Sequence, residues 1–201
     1  YEKLGKQGLF VCPTLIGSRQ LSYLDVNNHE QDDFLKYLTL RYTSNYAWRI
    51  NRMANETAEQ KNQRKENYEL VKKQLPYLQK AGIKIIAGSD AAALNTYVYP
   101  AESLIDELMI LNEAGLTPLE ILQAATVNGA RYFGQFDTMG SVAEGKVADL
   151  VLLDKNPLLD IGAVKNIFAV IKKGRYYDRA ALDEMLTKAQ QTKISLDLER
   201  K

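Results

Sequence analysis

A short apolar run near the start of the chain is followed by a long amphipathic stretch. Residues 8–16 form a short apolar run rich in strand formers, which predicts a strand buried on both faces. Residues 23–64 are polar, aromatic and charged, and their apolar side chains recur at helical spacing. This spacing predicts two helices, at about 30–43 and 45–60, that cover a face of the fold or form a lid.

A helix followed directly by a short apolar run occupies the next part of the chain. The helix is predicted over about 64–81, with Pro76 able to kink it and Gly82 ending it. Residues 83–88 then form a buried strand, and Ser89-Asp90-Ala91 follows at its carboxyl end. Strand, helix and strand in this order predict an α/β fold with parallel strands.

Two further helices are predicted after a loop of Ala, Asn and Tyr. The first is amphipathic and runs from about Ala101 to Ala114, where Gly115 stops it. The second begins at Thr117-Pro118, an N-cap followed by proline at the first helical position, and runs to about Ala130.

The periodicity changes again after Gly134. A small β unit is predicted at about 139–178, with strands at 150–153 and 167–172 and a turn at Lys173-Gly174. The charged, amphipathic tail over 180–201 predicts a terminal helix. We expect structural roles for two polar residues: Asp149 would cap or pin the turn at 145–150, and Asn128 would be a packing or capping group.

Composition narrows the class of protein. The 201 residues are 46% hydrophobic and 25% charged, as in one globular domain or slightly more, and the net charge of +1 indicates no nucleic-acid partner. No apolar run reaches the ~18 residues of a membrane span, and one cysteine excludes an internal disulfide. The chain starts at Tyr1, so we expect that it starts inside a longer protein or has been processed. No signal is visible, so we expect a cytoplasmic location.

Asp90 is the first candidate for chemistry. In parallel α/β folds ligands gather at the carboxyl ends of the strands, and a carboxylate placed there can bind a divalent metal and accept a proton from its water. The alternative is that Ser89-Asp90 caps the next turn through side-chain to backbone hydrogen bonds. The local sequence leaves both interpretations open.

Two single residues, His29 and Cys12, are weaker candidates. His29 is the only histidine, and one imidazole cannot supply a hydrolytic metal site. We interpret it as a surface or loop histidine, which would line a substrate pocket if residues 23–60 fold as a lid. We interpret Cys12, inside an apolar run, as an inert buried thiol.

The loop after Asp90 contains the candidates for substrate contact. Asn95, Tyr97 and Tyr99 follow Asp90 directly in the sequence, which favours a role in substrate binding. The alternative is a surface loop whose tyrosines pack on a neighbouring helix.

Residues 81–177 resemble the amidohydrolase superfamily, in the branch of imidazolonepropionase-like enzymes and prolidase-type dipeptidases. The similarity covers this range nearly end to end and in the family's order. One departure is Ile105, where relatives often have a histidine before the Glu-Leu pair. The matching stretches are Ala81-Gly82-Ile83-Lys84-Ile85-Ile86-Ala87-Gly88-Ser89-Asp90-Ala91, Asp106-Glu107-Leu108, Ala114-Gly115-Leu116-Thr117-Pro118-Leu119-Glu120, Ala124-Ala125-Thr126-Val127-Asn128-Gly129-Ala130, Gly140 to Asp154 and Asn156-Pro157-Leu158.

The resemblance implies a fold and a set of boundaries. It implies a distorted (β/α)8 TIM-like barrel with a small β-sandwich, of which this chain would be a C-terminal fragment. Residues 1–138 would hold strands 7 and 8 of the barrel, with a helical insertion at about 23–64. Residues 139–178 would belong to the sandwich, and 179–201 would form a helical tail.

The resemblance also implies a chemistry. Asp90 matches a metal ligand that assists proton transfer, and the other ligand motifs of the family do not occur here, so the chain alone is not expected to be active. The whole protein would hydrolyse a carbon–nitrogen bond of an amide, cyclic amide or dipeptide with one or two divalent ions. Zinc is the expected metal, although one aspartate does not choose among Zn, Mn, Co and Fe. The alternative is a catalytically silent binding or assembly module.

The expected partners follow from the same interpretation. They are a small-molecule or dipeptide substrate, the rest of the barrel, and further copies in a homo-oligomer. Because a half-built barrel exposes a sheet edge, we expect the isolated 201-residue chain to self-associate or to be poorly soluble.

Overall fold

The computed structural model describes residues 1–92 and 95–199 and contains a parallel α/β unit followed by a small antiparallel sheet. The two parallel strands pair with Phe10 opposite Lys84 and Val11 opposite Ile85. Helices connect and flank them, as parallel pairing requires. The elements of this unit are α1 (Glu2–Lys6), β1 (Phe10–Val11), α2 (Leu15–Ser22), α3 (Leu40–Thr43), α4 (Tyr46–Met53), α5 (Ala58–Lys80), β2 (Lys84–Ile85) and α6 (Glu102–Glu113).

Both parallel strands are shorter than predicted. The strand expected over residues 8–16 is limited to β1, because Pro13 has no N–H to donate and α2 already begins at Leu15. The strand expected over 83–88 is limited to β2, because the N–H of Ala87 donates to the Ala124 carbonyl at 3.0 Å instead of to β1.

The amphipathic stretch after α2 is less helical than predicted. The helix expected at about 30–43 is a 3-10 helix at Asp33–Tyr37 followed by the one-turn α3, which starts afresh where the Thr39 hydroxyl accepts the N–H of Tyr42. The helix expected at about 45–60 is α4, which ends at Met53.

The capping signals around α5 decide its length. Thr57 and Gln60 form a reciprocal capping box, so α5 begins at Ala58, earlier than the predicted start near residue 64. At the other end the N–H groups of Gly82 and Ile83 donate back to carbonyls of the last turn, with Gly82 at φ +87°. This confirms the predicted glycine cap.

The next helices follow the predicted order with one correction. The Thr117 side chain and Glu120 form a second capping box, with Pro118 at the first helical position, as expected. The predicted single helix up to Ala130 is wrong, because the backbone of Thr126 leaves the helical region at φ −136° and ψ −80°. The segment is divided into α7 (Pro118–Ala125) and α8 (Val127–Tyr132).

The β unit expected after residue 139 is a three-stranded antiparallel sheet in the order β3-β4-β5. Lys173 and Gly174 both have positive φ, of 51° and 77°, as a two-residue turn with matching twist requires. Asp149 accepts the N–H of Lys173 at 2.6 Å, so its side chain holds this turn rather than the turn at 145–150 for which it was predicted. The elements are β3 (Leu150–Leu153), a 3-10 helix (Ile161–Lys165), β4 (Ile167–Lys172), β5 (Arg175–Tyr177) and the terminal α9 (Arg179–Leu198).

Two buried clusters stabilise this arrangement. The larger joins β2 to α2, α5, α6 and α7 and includes Leu15, Leu75, Ile85, Leu111 and Ile121. The smaller, called here the tyrosine cluster, consists of Tyr46, Tyr97 and Tyr99 with the partly buried Leu24, Phe34, Leu35, Leu38, Tyr42 and Ile50. Among the described residues no helix is both long and apolar enough to cross a membrane.

Candidate functional site

The candidate site lies at the carboxyl ends of the two parallel strands. Asp90 follows β2, and Cys12 follows β1 at the same edge of the sheet. The two ends approach closely, because a Cβ added to Gly88 would lie 2.5 Å from the Cys12 sulfur. The expected placement of Asp90 just past a parallel strand is therefore confirmed.

Asp90 is exposed, and its backbone is in the left-handed region at φ 53°. Asn95, in the following loop, restrains Asp90. The Asn95 amide Nδ2 donates to the Asp90 carboxylate at 2.9 Å and to the Asp90 carbonyl at 2.5 Å. Aspartate tolerates this backbone conformation better than most residues. The arrangement leaves the carboxylate accessible and restricts its orientation.

Cys12 differs from the expectation of a buried thiol. Its side chain is exposed, because the strand ends before it and the backbone turns away at Pro13. Partial burial, together with the nearby charges of Glu107 and Asp90, still raises the pKa of the thiol. A raised pKa keeps the sulfur protonated and weakly nucleophilic.

A buried carboxylate that sequence reasoning missed lies behind the site. Glu107 on α6 is fully buried, and its two oxygens accept the N–H groups of Leu15 (3.0 Å) and Ile16 (2.7 Å) at the start of α2. Burial raises its pKa to about 7, although the two hydrogen bonds act in the opposite direction. The signal was available, because Ser103, Glu107 and Leu111 share the buried face of α6 at helical spacing.

Asn128 supports the strand that carries Asp90. Its buried side-chain amide donates to the Ile85 carbonyl at 2.8 Å, at the last residue of β2. The expected packing role of Asn128 is thus a specific one, since the bond anchors α8 to the strand end. The segment leading to Asp90 is held from both sides, by β1 and by α8.

The two tyrosines predicted to contact substrate lie in the tyrosine cluster. Tyr97 is 7% exposed and Tyr99 is 3% exposed. The Tyr99 hydroxyl donates to Asp32 at 2.8 Å, and burial together with this hydrogen bond raises the pKa of Tyr99. The contacts described for these rings are with the helical stretch before α5, and their part in substrate binding stays a prediction.

His29 is buried, contrary to the expectation of a surface position. It lies in a loop but is only 6% exposed, and its ring packs 4.7 Å from the ring of Tyr97. Its Nδ1 lies 2.8 Å from the Asp32 carboxylate. The local sequence concealed this burial because its cause is the distant tyrosine at position 97.

A cleft of about 900 Å³ lies among α2, α5 and α6 rather than at Asp90. His29, Asp32 and Tyr99 contribute to its lining, together with charged residues of α2, α5 and α6. Cations and carboxylates alternate there, as in the pairs Arg19–Glu113 and Lys72–Glu69. His29 lies in the lining of this cleft and Asp90 does not, so a part for His29 in a substrate pocket stays a prediction.

The donor set for a metal is incomplete within residues 1–92 and 95–199, where no group of three or more His, Cys, Asp or Glu side chains could hold an ion. Asp90 can supply one hard oxygen ligand. A catalytic divalent ion normally takes about three protein ligands. The described residues therefore fit such an ion only as one part of a larger site.

Comparison with known proteins decides the family. The model of the amidohydrolase family matches residues 50–177, well over half of the chain and including both Asp90 and Asn128. The chain belongs to this family. The matched range contains β2, Asp90 and the antiparallel β unit, in that order along the chain.

Individual amidohydrolase relatives match part of the chain. Imidazolonepropionase of Geobacillus sp. (strain WCH70) is 36% identical over an alignment of 107 positions, and the match covers 46% of this chain and 25% of that protein. Ochratoxinase of Aspergillus niger is 39% identical over 84 residues, which are 41% of this chain and 16% of that protein. The chain thus spans about a quarter or less of the length of these relatives.

The fold is that of solved amidohydrolases. The bottromycin amidohydrolase structure aligns with 92% of this chain and 40% of its own, with a TM-score of 0.73 and 19% identity. This similarity shows that the parallel unit is part of an α/β fold of the TIM-barrel type. β1 and β2 are therefore two neighbouring strands of that architecture.

Proposed function

We propose that this chain is the C-terminal part of a metal-dependent amidohydrolase that cleaves a carbon–nitrogen bond of an amide, cyclic amide or dipeptide. The observation that carries the proposal is the position of Asp90. It follows a parallel barrel-type strand at its carboxyl end, inside the range matched by the family. That end of the strands is where enzymes of this architecture place their active sites.

In the proposed reaction Asp90 has two roles. One carboxylate oxygen accepts the Asn95 amide, and the carboxylate as a whole is exposed at the strand end. It would bind a divalent ion and accept a proton from the water that attacks the substrate. The ion, when bound, polarises that water and makes it a nucleophile near neutral pH.

The other parts of the proposed centre lie outside this chain. Since Asp90 is a single donor, the remaining ligands would come from the rest of the barrel, and we propose zinc, as one or two ions, on the basis of the family resemblance. We also propose residues 1–138 as the barrel part, 139–178 as part of a β-sandwich and 179–201 as a helical tail. Assembly as a homo-oligomer belongs to the same proposal.

The proposed substrate is a small molecule or a dipeptide. The names of the relatives, which include imidazolonepropionase, ochratoxinase and a 5-methylthioadenosine/S-adenosylhomocysteine deaminase, support small substrates containing carbon–nitrogen bonds. Asn95 is the predicted contact that lies beside Asp90. Tyr97 and Tyr99 complete the proposed substrate-binding loop.

The test compares Asp90→Asn with Asp137→Asn in the full-length protein. Asp137 is an exposed carboxylate in the loop after α8 and serves as the matched control. Metal content and hydrolysis of a panel of N-acyl amides, cyclic amides and dipeptides would be measured. We expect Asp90→Asn to lose about a hundredfold or more in kcat/KM with a lower metal content, and Asp137→Asn to behave as the wild type.

Two results would contradict the proposal. Full activity in Asp90→Asn would remove Asp90 from the mechanism. A full-length wild-type protein that binds no divalent metal and hydrolyses none of the panel would instead favour the catalytically silent binding or assembly module.

A further inference from the structure

The loop that follows Asp90 is held by the helical stretch that precedes α5. This stretch, residues 23–53, is called here the insertion segment. The rings of Tyr97 and Tyr99 contact it directly, Tyr97 against Tyr46 at 5.1 Å and Tyr99 stacked on Phe34 at 5.4 Å. The tyrosine cluster therefore joins two parts of the chain that are about sixty residues apart.

Asp32 is the polar centre of this contact. One of its oxygens, Oδ2, accepts the Tyr99 hydroxyl at 2.8 Å and lies 2.8 Å from Nδ1 of His29. His29 and Tyr99 are both buried and Asp32 is partly buried, so these hydrogen bonds are partly shielded from water. A charge-assisted hydrogen bond in such surroundings restrains geometry more strongly than one at the surface.

The backbone at the contact needs this support. Tyr97, Ala101 and His29 all have positive φ, of 60°, 65° and 62°, although none is glycine. Side chains with a Cβ rarely adopt this region, and they keep it only where the surrounding structure holds them. The loop conformation therefore depends on contacts outside the loop.

The same loop reaches Asp90 at its other end. Asn95 donates to the Asp90 carboxylate, and the N–H of Val98 donates back to the Asn95 carbonyl at 3.2 Å. Tyr99, which bonds Asp32, follows Val98 directly. A short and continuous set of contacts thus runs from Asp32 to Asp90.

We propose that Asp32 is a positioning residue that fixes residues 95–99 and, through Asn95, the orientation of the Asp90 carboxylate. The insertion segment thereby controls the geometry of the site without lining it at Asp90. The catalytic consequence rests on the function proposed above, whereas the structural coupling between Asp32 and the loop does not.

The test uses three variants of the full-length protein and two controls. Asp32→Ala removes the shared acceptor, Asp32→Asn keeps one oxygen in place, and Tyr99→Phe removes only the hydroxyl. The controls are Asp33→Ala, an exposed neighbouring carboxylate, and Tyr42→Phe, a ring of the same cluster. Amide hydrogen exchange of residues 95–99 and of α5 would be measured beside kcat and KM.

We expect Asp32→Ala and Tyr99→Phe to speed exchange over 95–99 by about tenfold, with exchange in α5 unchanged. The same variants should lower kcat about tenfold or more with a smaller change in KM, since a small displacement of a catalytic group mainly slows the chemical step. Asp32→Asn should recover part of both effects. The two controls should behave as the wild type.

The outcomes separate this inference from the proposed function. Unchanged exchange over 95–99 in Asp32→Ala would overturn the coupling, whatever the activity. Faster exchange with an unchanged kcat, in a protein that Asp90→Asn inactivates, would overturn the positioning role and leave the proposed function standing. If the wild-type protein is inactive, the proposed function fails and the exchange data still decide whether Asp32 holds the loop.

Discussion

Glu107 and Ile16 are 91 positions apart in the chain, and the Glu107 carboxylate accepts the backbone N–H of Ile16 at 2.7 Å. The second oxygen accepts the N–H of Leu15, so one side chain of α6 satisfies two N–H groups that the first turn of α2 leaves without helical partners. The positive end of the helix dipole favours a carboxylate there. This contact orients α2 directly after the strand end at Cys12.

The first prediction concerns the pH dependence of stability. The pKa of Glu107 rises from 4.5 in the unfolded chain to about 7 in the fold. The folded state then binds more protons than the unfolded state between these values. The contribution of Glu107 is therefore complete below about pH 4.5 and is lost as the pH rises through 7, by about 3 kcal/mol in total, at 1.36 kcal/mol per pKa unit.

Denaturant unfolding of the full-length protein between pH 4.5 and 8 checks this prediction. Glu107→Gln, which cannot ionise, should lose this fall in the free energy of unfolding, whereas Glu102→Gln, an exposed control on the same helix, should keep it. An equal pH dependence in Glu107→Gln and wild type would assign the titration to another group.

A second prediction concerns the close approach of the two strand ends. Gly88→Ala would place a Cβ 2.5 Å from the Cys12 sulfur, so the sulfur or the strand must move. We expect the free energy of unfolding to fall by about 1–3 kcal/mol, the usual cost of overpacking. Cys12→Ala in the same protein should restore most of the loss, which a double-mutant cycle measures. Additive effects would show that the sulfur is not the obstacle.

The third prediction concerns the anchor of β2. Asn128→Ala leaves the buried Ile85 carbonyl without the donor it has at 2.8 Å. We expect a loss of about 1–3 kcal/mol in the free energy of unfolding, because a buried acceptor loses its partner. Asn112→Ala, at an exposed position of α6, is the control and should change stability little. A loss of equal size in both variants would count against the anchor.

The fourth prediction separates backbone strain from steric contact at two glycines. Gly140 and Gly145 have similar positive φ, of 87° and 80°, but a Cβ at Gly140 would lie 2.5 Å from the Ala130 Cβ whereas one at Gly145 meets nothing within 4 Å among the described residues. Alanine at Gly145 should cost about 1 kcal/mol, from strain alone. Alanine at Gly140 should cost about 2–4 kcal/mol in thermal or denaturant unfolding. Equal losses would refute the steric part.

The prediction of element types succeeded where local signals are strong. The N-cap at Thr117, the glycine end at Gly82 and the turn at Lys173-Gly174 are decided by a few neighbouring residues, and the sequence predicts all three. The predicted lengths of elements were wrong where those lengths depend on residues distant in the sequence. β1, for example, is short because it pairs with β2 at only two positions and because α2 already begins at Leu15.

In the candidate site, too, the sequence predicts what depends on neighbouring residues and misses what depends on distant ones. Asp90 was found because the strand pattern before it is local and the family motif is contiguous. Glu107 was missed as a capping group, because its partners Leu15 and Ile16 are distant in sequence. The sequence predicts His29 as a surface or loop histidine, and it does lie in a loop, but nothing near it in sequence indicates the Tyr97 ring that buries it.

The sequence by itself determined the family, the order of elements and the position of Asp90, since these depend on contiguous motifs and on the periodicity of apolar residues. Only the tertiary structure decided which side chains support that aspartate. The Asn128 bond to Ile85, the Glu107 cap and the Asp32–Tyr99 contact all join residues more than forty positions apart. Such pairs depend on how the helices pack on the strands, and no local pattern of residues encodes that packing.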